Sequence, residues 1–246
     1  MSESKAHNTF VNRVLHFDDD IEFMDIVCRH VARTDFAEDD RIFKCFDVDK
    51  HPNIARHTAT QHSRKLIANH CKATLYASYV KDIYEEFSEY LRSIIAEAFD
   101  NAKISPERIA GGHETISMTL KDILKFQMNG TLTEIIIGRI FQALENERST
   151  IKLINKVCSK LGLTVDESII QDAVYYLEIR HKLVHADGLA DEDFRKSHPK
   201  LTYTNDSHID LTYDTIISLK KNVTALVDAI DREALSKQIL KYHTIP

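Results

Sequence analysis

The segment from Thr74 to Ala102 constrains the fold more than any other part of this sequence. Its apolar residues recur at steps of three and four, and charged residues such as Glu85, Glu89 and Arg92 fill the remaining positions. This spacing predicts one long helix with a single face buried in a core. The predicted core residues are Val80, Ile83, Tyr84, Phe87, Tyr90, Leu91, Ile94, Ile95 and Ala98.

Two further amphipathic helices are predicted toward the ends of the chain. The first covers Asp18 to Arg33 and opens on three aspartates, which suit the positive end of a helix dipole. The last runs from about Tyr213 to Tyr242 with its apolar positions on one face. Between the first helix and the long one, a polar stretch around Pro52 is typical of a connector.

Capping and turn signals place another helix in the second half of the chain. Residues 164–167, Thr-Val-Asp-Glu, have the spacing of a capping box and predict a helix start. This helix should run to about Ala186, where Asp187-Gly188 supplies a stop. Two or three helices precede it, with breaks near Asn129-Gly130 and Gly162.

A small β-hairpin is predicted before the last helix. Its strands would be Leu201–Thr204 and Ile209–Leu211, on either side of the turn residues Asn205-Asp206. The composition otherwise favours an all-α protein. Of 246 residues, 43% are apolar, and only 6 are glycine and 4 are proline. A β-sandwich needs many sharp turns, for which this chain has few of the usual residues.

Charge and glycine content disfavour several functional classes. The net charge is −6, so no global basic field attracts DNA, although a local cationic patch could still hold a short RNA segment. Neither GxGxxG nor GxxxxGK[ST] occurs, and Gly111-Gly112 is interpreted as a turn, so a glycine-rich phosphate loop is excluded. We expect no cofactor.

The expected setting is the reducing cytoplasm. Cys28, Cys45, Cys71 and Cys158 are far apart in the sequence and form no CxxC pair. The first ten residues lack the apolar centre of a signal peptide, and no apolar stretch is long enough to span a membrane. We therefore predict a cytoplasmic protein with no membrane partner.

The helix before Ala186 carries the residues of greatest chemical interest. Its predicted apolar face consists of Ile170, Ala173, Val174, Leu177 and Val184. On a helical wheel His181 falls in the middle of that face, with Arg180 toward one flank and His185 toward the other. Polar groups on a face otherwise meant for burial need partners, and such breaks in a pattern are common at functional sites.

Two other interpretations of these residues remain open. In the first, His181 only hydrogen-bonds a neighbouring helix while Arg180 pairs with a carboxylate such as Glu178. In the second, His181 and His185, spaced i, i+4, bind a metal together with a third ligand. That ligand would come from His57, His62 and His70, but no HExxH pattern supports this site, and we predict none.

The block Arg180-His181-Lys182-Leu183-Val184-His185-Ala186-Asp187-Gly188 resembles the signature of the HEPN superfamily. That signature has an arginine, an adjoining polar residue, a few further residues and then a histidine, matched here by Arg180, His181 and His185. A second likeness lies at Leu75-Tyr76-Ala77, similar to the LYAxxE-type opening of the first helix in one HEPN branch. At the glutamate place of that pattern this chain has Tyr79-Val80.

The resemblance implies a fold, a partner and an activity. The fold would be an up-and-down helical bundle over residues 61–246, with residues 1–60 as an N-terminal helical extension. Two subunits would form a homodimer in which the two signatures face each other and make a composite active site. The activity would be metal-independent endonucleolytic cleavage of RNA, in a toxin or phage-defence effector restrained by an antitoxin or another defence protein.

The resemblance also implies residue roles. His185 would transfer protons, because histidine titrates near neutral pH. Arg180 would hold the non-bridging phosphate oxygens through its planar fork. His181 would orient His185 or the phosphate, and Lys182 would touch the neighbouring RNA backbone. Some HEPN toxins carry a modifiable tyrosine where this chain has Asp187, so that mode of control is not carried over.

A non-catalytic HEPN module that binds a protein or a nucleotide through the same cleft is the alternative. The acidic balance of the chain favours it, whereas the intact set of Arg180, His181 and His185 favours the nuclease.

Overall fold

The computed structural model describes residues 3–32, 53, 61–101, 137–139, 141–142 and 149–243. This part of the chain is mostly helical, as the composition predicted. The elements are helices α1 (Lys5–Ala32), α2 (Gln61–Asp100), α3 (Thr150–Leu161), α4 (Glu167–His185), α5 (Glu192–Ser197) and α6 (Tyr213–Ser236), with strands β1 (Thr202–Tyr203) and β2 (Ile209–Asp210) between α5 and α6.

Helix α2 is the centre of the packing and contacts α1, α3, α4 and α6. The apolar stripe predicted from its sequence is buried, with one exception. Phe87, Leu91 and Ile94 are at most 1% exposed, whereas Tyr84 is only partly buried. The ring of Tyr84 lies instead beneath a side chain of α4, and this contact becomes part of the site described below.

Helix α1 belongs to the same hydrophobic core as the later helices. Phe10, Val14 and Ile21 are each at most 3% exposed and join the core cluster that contains α2 and α6. The predicted helix start at Asp18 is wrong, because the apolar spacing begins earlier and the helix starts at Lys5. Asp18 lies in mid-helix, where its carboxylate accepts a hydrogen bond from Tyr79 Oη at 2.6 Å.

Other helix boundaries also differ from the sequence predictions. Helix α2 starts at Gln61, well before Thr74, because its first turns carry buried positions such as Ala68. The N-cap of α4 is Asp166 rather than Thr164, since the Asp166 side chain accepts a hydrogen bond from the Ser168 amide. Helix α6 ends at Ser236, six residues before Tyr242.

Two predicted turns are confirmed and two lie outside the described residues. Gly162 ends α3 with φ 69°, a left-handed conformation that glycine adopts without strain. The predicted hairpin is present but shorter, with Thr202 opposite Asp210 and Tyr203 opposite Ile209. The predicted breaks at Gly111-Gly112 and Asn129-Gly130 fall in undescribed segments.

The β-hairpin supports the chain just after α4. The Ile209 amide donates to the Gly188 carbonyl, and the Ala190 amide donates to the Ser207 carbonyl, each at 2.9 Å. These bonds hold the segment that follows α4 against the hairpin. The C-terminal end of α4 is therefore fixed in position although it lies at the surface.

None of the described helices combines the length and the apolar composition that a membrane span requires.

A buried polar contact joins the start of the chain to α6. Asp231 is 2% exposed, and its carboxylate accepts hydrogen bonds from the Ser4 amide at 3.1 Å and from the Ser4 hydroxyl. Tyr90 of α2 points its hydroxyl at the same carboxylate, at 3.5 Å. These donors compensate the cost of burying a carboxylate in the core.

We expect the Ser4→Ala substitution to lower the free energy of unfolding by about 1–3 kcal/mol, because it removes one donor from a buried charge. Urea denaturation followed by circular dichroism measures the change. Ser236→Ala is the control, since the exposed hydroxyl of Ser236 bonds Glu233 one turn back at the surface, and its effect should stay within about 0.5 kcal/mol. An equal effect of both substitutions would show that the Ser4 contact contributes nothing specific.

Candidate functional site at the end of helix α4

The end of α4 is shaped by two residues with left-handed backbone. After the helix ends at His185, Asp187 has φ 49° and Gly188 has φ 80°. The Gly188 amide then donates to the Lys182 carbonyl at 2.9 Å and closes the last turn. A left-handed φ is strained for residues with a Cβ, so the glycine at 188 has a direct structural reason.

His181 and His185 form an adjacent imidazole pair on the surface. Both residues are exposed, and their ring centroids are 4.7 Å apart with the rings tilted by 50°. Neither side chain makes a hydrogen bond or an ion pair with another residue in the described part of the chain. Both rings are therefore free to exchange protons with a ligand or with water.

The expectation that His181 lies within the buried face of α4 is wrong. The buried side of the helix ends with Leu177 and Ile179, each at most 1% exposed. One turn later Val184, also assigned to the apolar face, is 44% exposed. The last turn of α4 carries His181, Val184 and His185 beyond the helices that cover its first half.

The environment of His181 favours its neutral form. Partial burial of the ring is the largest cause that lowers its pKa below the ordinary histidine value, followed by the positive charges of His185, Lys182 and Arg180. A lowered pKa leaves most of the imidazole uncharged near pH 7. His181 can therefore accept a proton or a hydrogen bond beside His185 at neutral pH.

Arg180 points away from the two histidines, toward α2. Its guanidinium carbon lies 4.8 Å from the ring centroid of Tyr84, a cation–π distance. Arg180 and His185 are five positions apart, which corresponds to about 140° around a regular helix. Arg180 and His185 of one chain thus face different sides of α4.

The guanidinium of Arg180 has no hydrogen-bond partner among the described residues, and its Nε is buried. The alternative interpretation, in which Arg180 pairs with Glu178, is not seen, and the Glu178 carboxylate lies 3.5 Å from His198 Nε2. Arg180 lines a cavity of about 310 Å³ between α2 and α4, together with Ser88, Arg92 and Phe141.

Lys182 is held on a third side of α4. Its ammonium group pairs with Asp191, the residue that also caps α5, and lies 5.2 Å from the ring centroid of Phe194. Only 17% of the Lys182 side chain is exposed. This ion pair connects α4 to α5.

The structure brings no metal cluster together in the residues it describes. There, no group of three or more histidine, cysteine or carboxylate side chains is placed to hold a metal ion. Of the third ligands considered from the sequence, His62 and His70 are exposed on the first half of α2, and His57 lies outside the described residues.

Three residues of the cavity were not singled out from the sequence. Tyr84 was assigned to the core stripe and Arg92 to the solvated face of α2, and Ser88 drew no attention. Their spacing of four along α2 was the only signal, since it places them on one side of the helix. That side faces Arg180 only because of how α4 packs.

No protein family, curated protein or solved structure matches the chain. The function must therefore be argued from the site.

We expect the His185→Gln substitution to raise the pKa of His181, because it removes the largest charged contribution that lowers it. The pKa should stay below the ordinary histidine value, since burial of the ring remains. A titration of the imidazole carbon protons by two-dimensional NMR measures both effects. His16→Gln, which changes an exposed histidine on α1, should leave His181 unaffected. A His181 pKa that does not respond to His185→Gln would contradict the coupling.

Proposed function

We propose that this chain is a HEPN-type, metal-independent endoribonuclease that acts as a homodimer. The observation that carries the proposal is the exposed pair of His181 and His185 at the fixed end of α4. On another side of the same helix turn, the guanidinium of Arg180 has no hydrogen-bond partner among the described residues. These residues occupy the positions through which Arg180-His181-Lys182-Leu183-Val184-His185 resembles the HEPN signature.

The proposed reaction uses the 2′-hydroxyl of the RNA as the nucleophile. Its oxygen forms a bond to the adjacent phosphorus, and the bond from phosphorus to the 5′-oxygen breaks. The proton of the 2′-hydroxyl passes to the His185 imidazole, and the imidazolium so formed gives a proton to the leaving 5′-oxygen. The products are a 2′,3′-cyclic phosphate and a 5′-hydroxyl.

The residues of this chain fit those steps. His185 transfers the protons, and His181, kept largely neutral, orients it from a ring centroid 4.7 Å away. Arg180 holds the non-bridging oxygens and stabilises the charge that builds up at phosphorus. Lys182 contacts the RNA backbone in this scheme once it exchanges Asp191 for a phosphate.

Two observations support a second subunit. Arg180 and His185 face different sides of one helix, so a second copy of the chain is needed to place an arginine and a histidine on one phosphate. Val184 and Leu189, which flank His185 in sequence, are 44% and 47% exposed. Apolar side chains at the edge of a polar site are typical of a surface that another protein covers.

By analogy with HEPN nucleases, the proposed biological role is that of a toxin or defence nuclease restrained by another protein. Expression of the chain alone should then slow growth, and His185→Ala should relieve the effect. Equal toxicity of both proteins would count against this role.

The same exposed apolar residues favour one alternative, a non-catalytic HEPN module that binds a protein. Val184 and Leu189 would form the docking surface, and the histidines would be dispensable. A double substitution of His181 and His185 by alanine distinguishes the two functions. A binding module keeps its partner after this change, whereas a nuclease loses its activity.

We expect the purified protein to cleave single-stranded RNA in excess EDTA and to leave DNA of the same sequence intact, because DNA lacks the 2′-hydroxyl. His185→Ala should reduce the rate at least about 100-fold, the usual contribution of acid–base catalysis. Gel analysis combined with mass spectrometry of the cyclic-phosphate ends measures the reaction. His16→Ala, another exposed histidine, is the matched control and should retain full activity. Cleavage that stops with chelator, or that survives His185→Ala, would overturn the mechanism.

The composite site predicts complementation between two inactive variants. Arg180→Ala and His185→Ala proteins should each be inactive alone. Random exchange of subunits makes half of the dimers heterodimers, each with one intact site of two, so the mixture should regain about a quarter of the wild-type activity. Size-exclusion chromatography with light scattering establishes the dimer independently. An active monomer, or a mixture with no recovery, would rule out a site shared in this way.

A further inference from the structure

A cavity between α2 and α4, open to solvent on one side, contains two polar groups that nothing in the described structure satisfies. The Ser88 hydroxyl and the Arg180 Nε are both shielded from solvent, and neither has a hydrogen-bond partner. Ser88 as a whole is 8% exposed. An unsatisfied buried polar group costs stability, so two in one cavity suggest that a ligand completes the site.

The cavity also contains a second arginine that is only weakly held. Arg92 lies one turn after Ser88 on α2 and lines the same space. Among the described residues Arg92 pairs with Glu89, at 3.5 Å, and 45% of its side chain is exposed. An exposed ion pair at this distance contributes little, so Arg92 is free to turn toward an anion.

The donors in this cavity match one chemical class of ligand. Arg180 and Arg92 supply guanidinium groups, and Ser88 supplies a hydroxyl, which are the groups that bind phosphate oxygens. Phe141 closes the apolar side of the space and is 5% exposed. These side chains can bind a phosphate without the backbone N–H groups of a glycine-rich loop, a motif that the sequence lacks.

Size and charge restrict the ligand further. The volume of about 310 Å³ is at the lower limit for a small-molecule site and fits one nucleotide unit. Glu85 and Glu89 also line the cavity, and their carboxylates would repel a triphosphate more strongly than a singly charged phosphodiester. The cavity therefore favours one phosphodiester unit over a free nucleoside triphosphate.

We propose that the cavity formed by Ser88, Arg92 and Arg180 is a binding site for one phosphodiester of a single-stranded RNA. The identity of the strand rests on the proposed ribonuclease function. The phosphate site itself does not, because it depends on side chains of α2 that take no part in proton transfer. Ser88 and Arg92 thus add hydrogen bonds to the phosphate that Arg180 binds.

The direct test measures binding of a short 2′-O-methyl RNA, which cannot be cleaved because its nucleophile is blocked. Fluorescence anisotropy of the labelled RNA gives the dissociation constant for each variant. We expect Arg92→Gln to weaken binding about ten-fold and Ser88→Ala about three-fold, as for the loss of a charged and a neutral hydrogen bond. Arg92→Gln should also lower the slope of log K against log salt by about 0.7, the value for one phosphate contact on a single strand.

Matched controls separate binding from folding. Arg232→Gln removes an exposed arginine from the far end of α6, and Ser78→Ala removes an exposed serine from α2; both should bind like the wild type. Ser88→Ala should leave the melting temperature unchanged or raise it, since it deletes an unsatisfied hydroxyl. Unchanged RNA affinity in folded Ser88→Ala and Arg92→Gln proteins would overturn the proposal.

Two further arms identify the source of the phosphate and separate this proposal from the nuclease. Inorganic phosphate and a 5′-mononucleotide are titrated by isothermal calorimetry; binding of these alone, without the RNA, would overturn the assignment to a phosphodiester strand. If binding depends on Ser88 and Arg92 but normal RNA is not cleaved, the phosphate site stands and the nuclease function is wrong. If cleavage is unaffected by substitution of both residues, the nuclease function stands and the phosphate site is wrong.

Discussion

Burial of one face of α2 is the constraint on which the rest of the structure depends. Side chains such as Phe87, Leu91 and Ile94 are almost completely removed from water, and each contributes about 1.5–3 kcal/mol to folding. Helices α1, α3, α4 and α6 all contact α2 because only several helices together can cover a face of this length. The same packing turns Tyr84 and Ser88 of α2 toward α4 and so forms the wall of the cavity beneath Arg180.

The first turns of helix α4 pack in the core, and its last turn carries the residues of the candidate site. Its first turns bury Ile170, Ala173 and Leu177 against the core, whereas its last turn projects past the neighbouring helices. The hairpin and the Lys182–Asp191 ion pair hold that exposed end in place. A site on a braced helix end can be accessible to a large substrate and still keep its side chains in a defined geometry.

The charged groups around α4 are distributed on different sides of the helix. His181 and His185 lie together in solvent, Arg180 is directed under the helix toward α2, and Lys182 is directed toward α5. In the proposed nuclease, this separation is the physical reason for a dimer, because proton transfer and phosphate binding are carried by surfaces that one chain cannot turn toward the same phosphate. In that scheme Ser88 and Arg92 add phosphate contacts on the Arg180 side of α4 and leave the side that carries His181 and His185 unchanged.

Periodicity by itself determined the helical class, the buried stripe of α2 and the stop after His185, because these depend on residues close together in the sequence. It could not determine where burial ends along a helix. His181 fits the apolar face of α4 on a wheel, yet it is exposed, because none of the described helices covers the last turn of α4. The aspartates at 18–20 likewise suggested a helix start but lie in mid-helix, where Asp18 accepts a hydrogen bond from the distant Tyr79. The cavity of Ser88, Arg92 and Arg180 joins residues about ninety positions apart, so only the tertiary packing of α4 on α2 could reveal it.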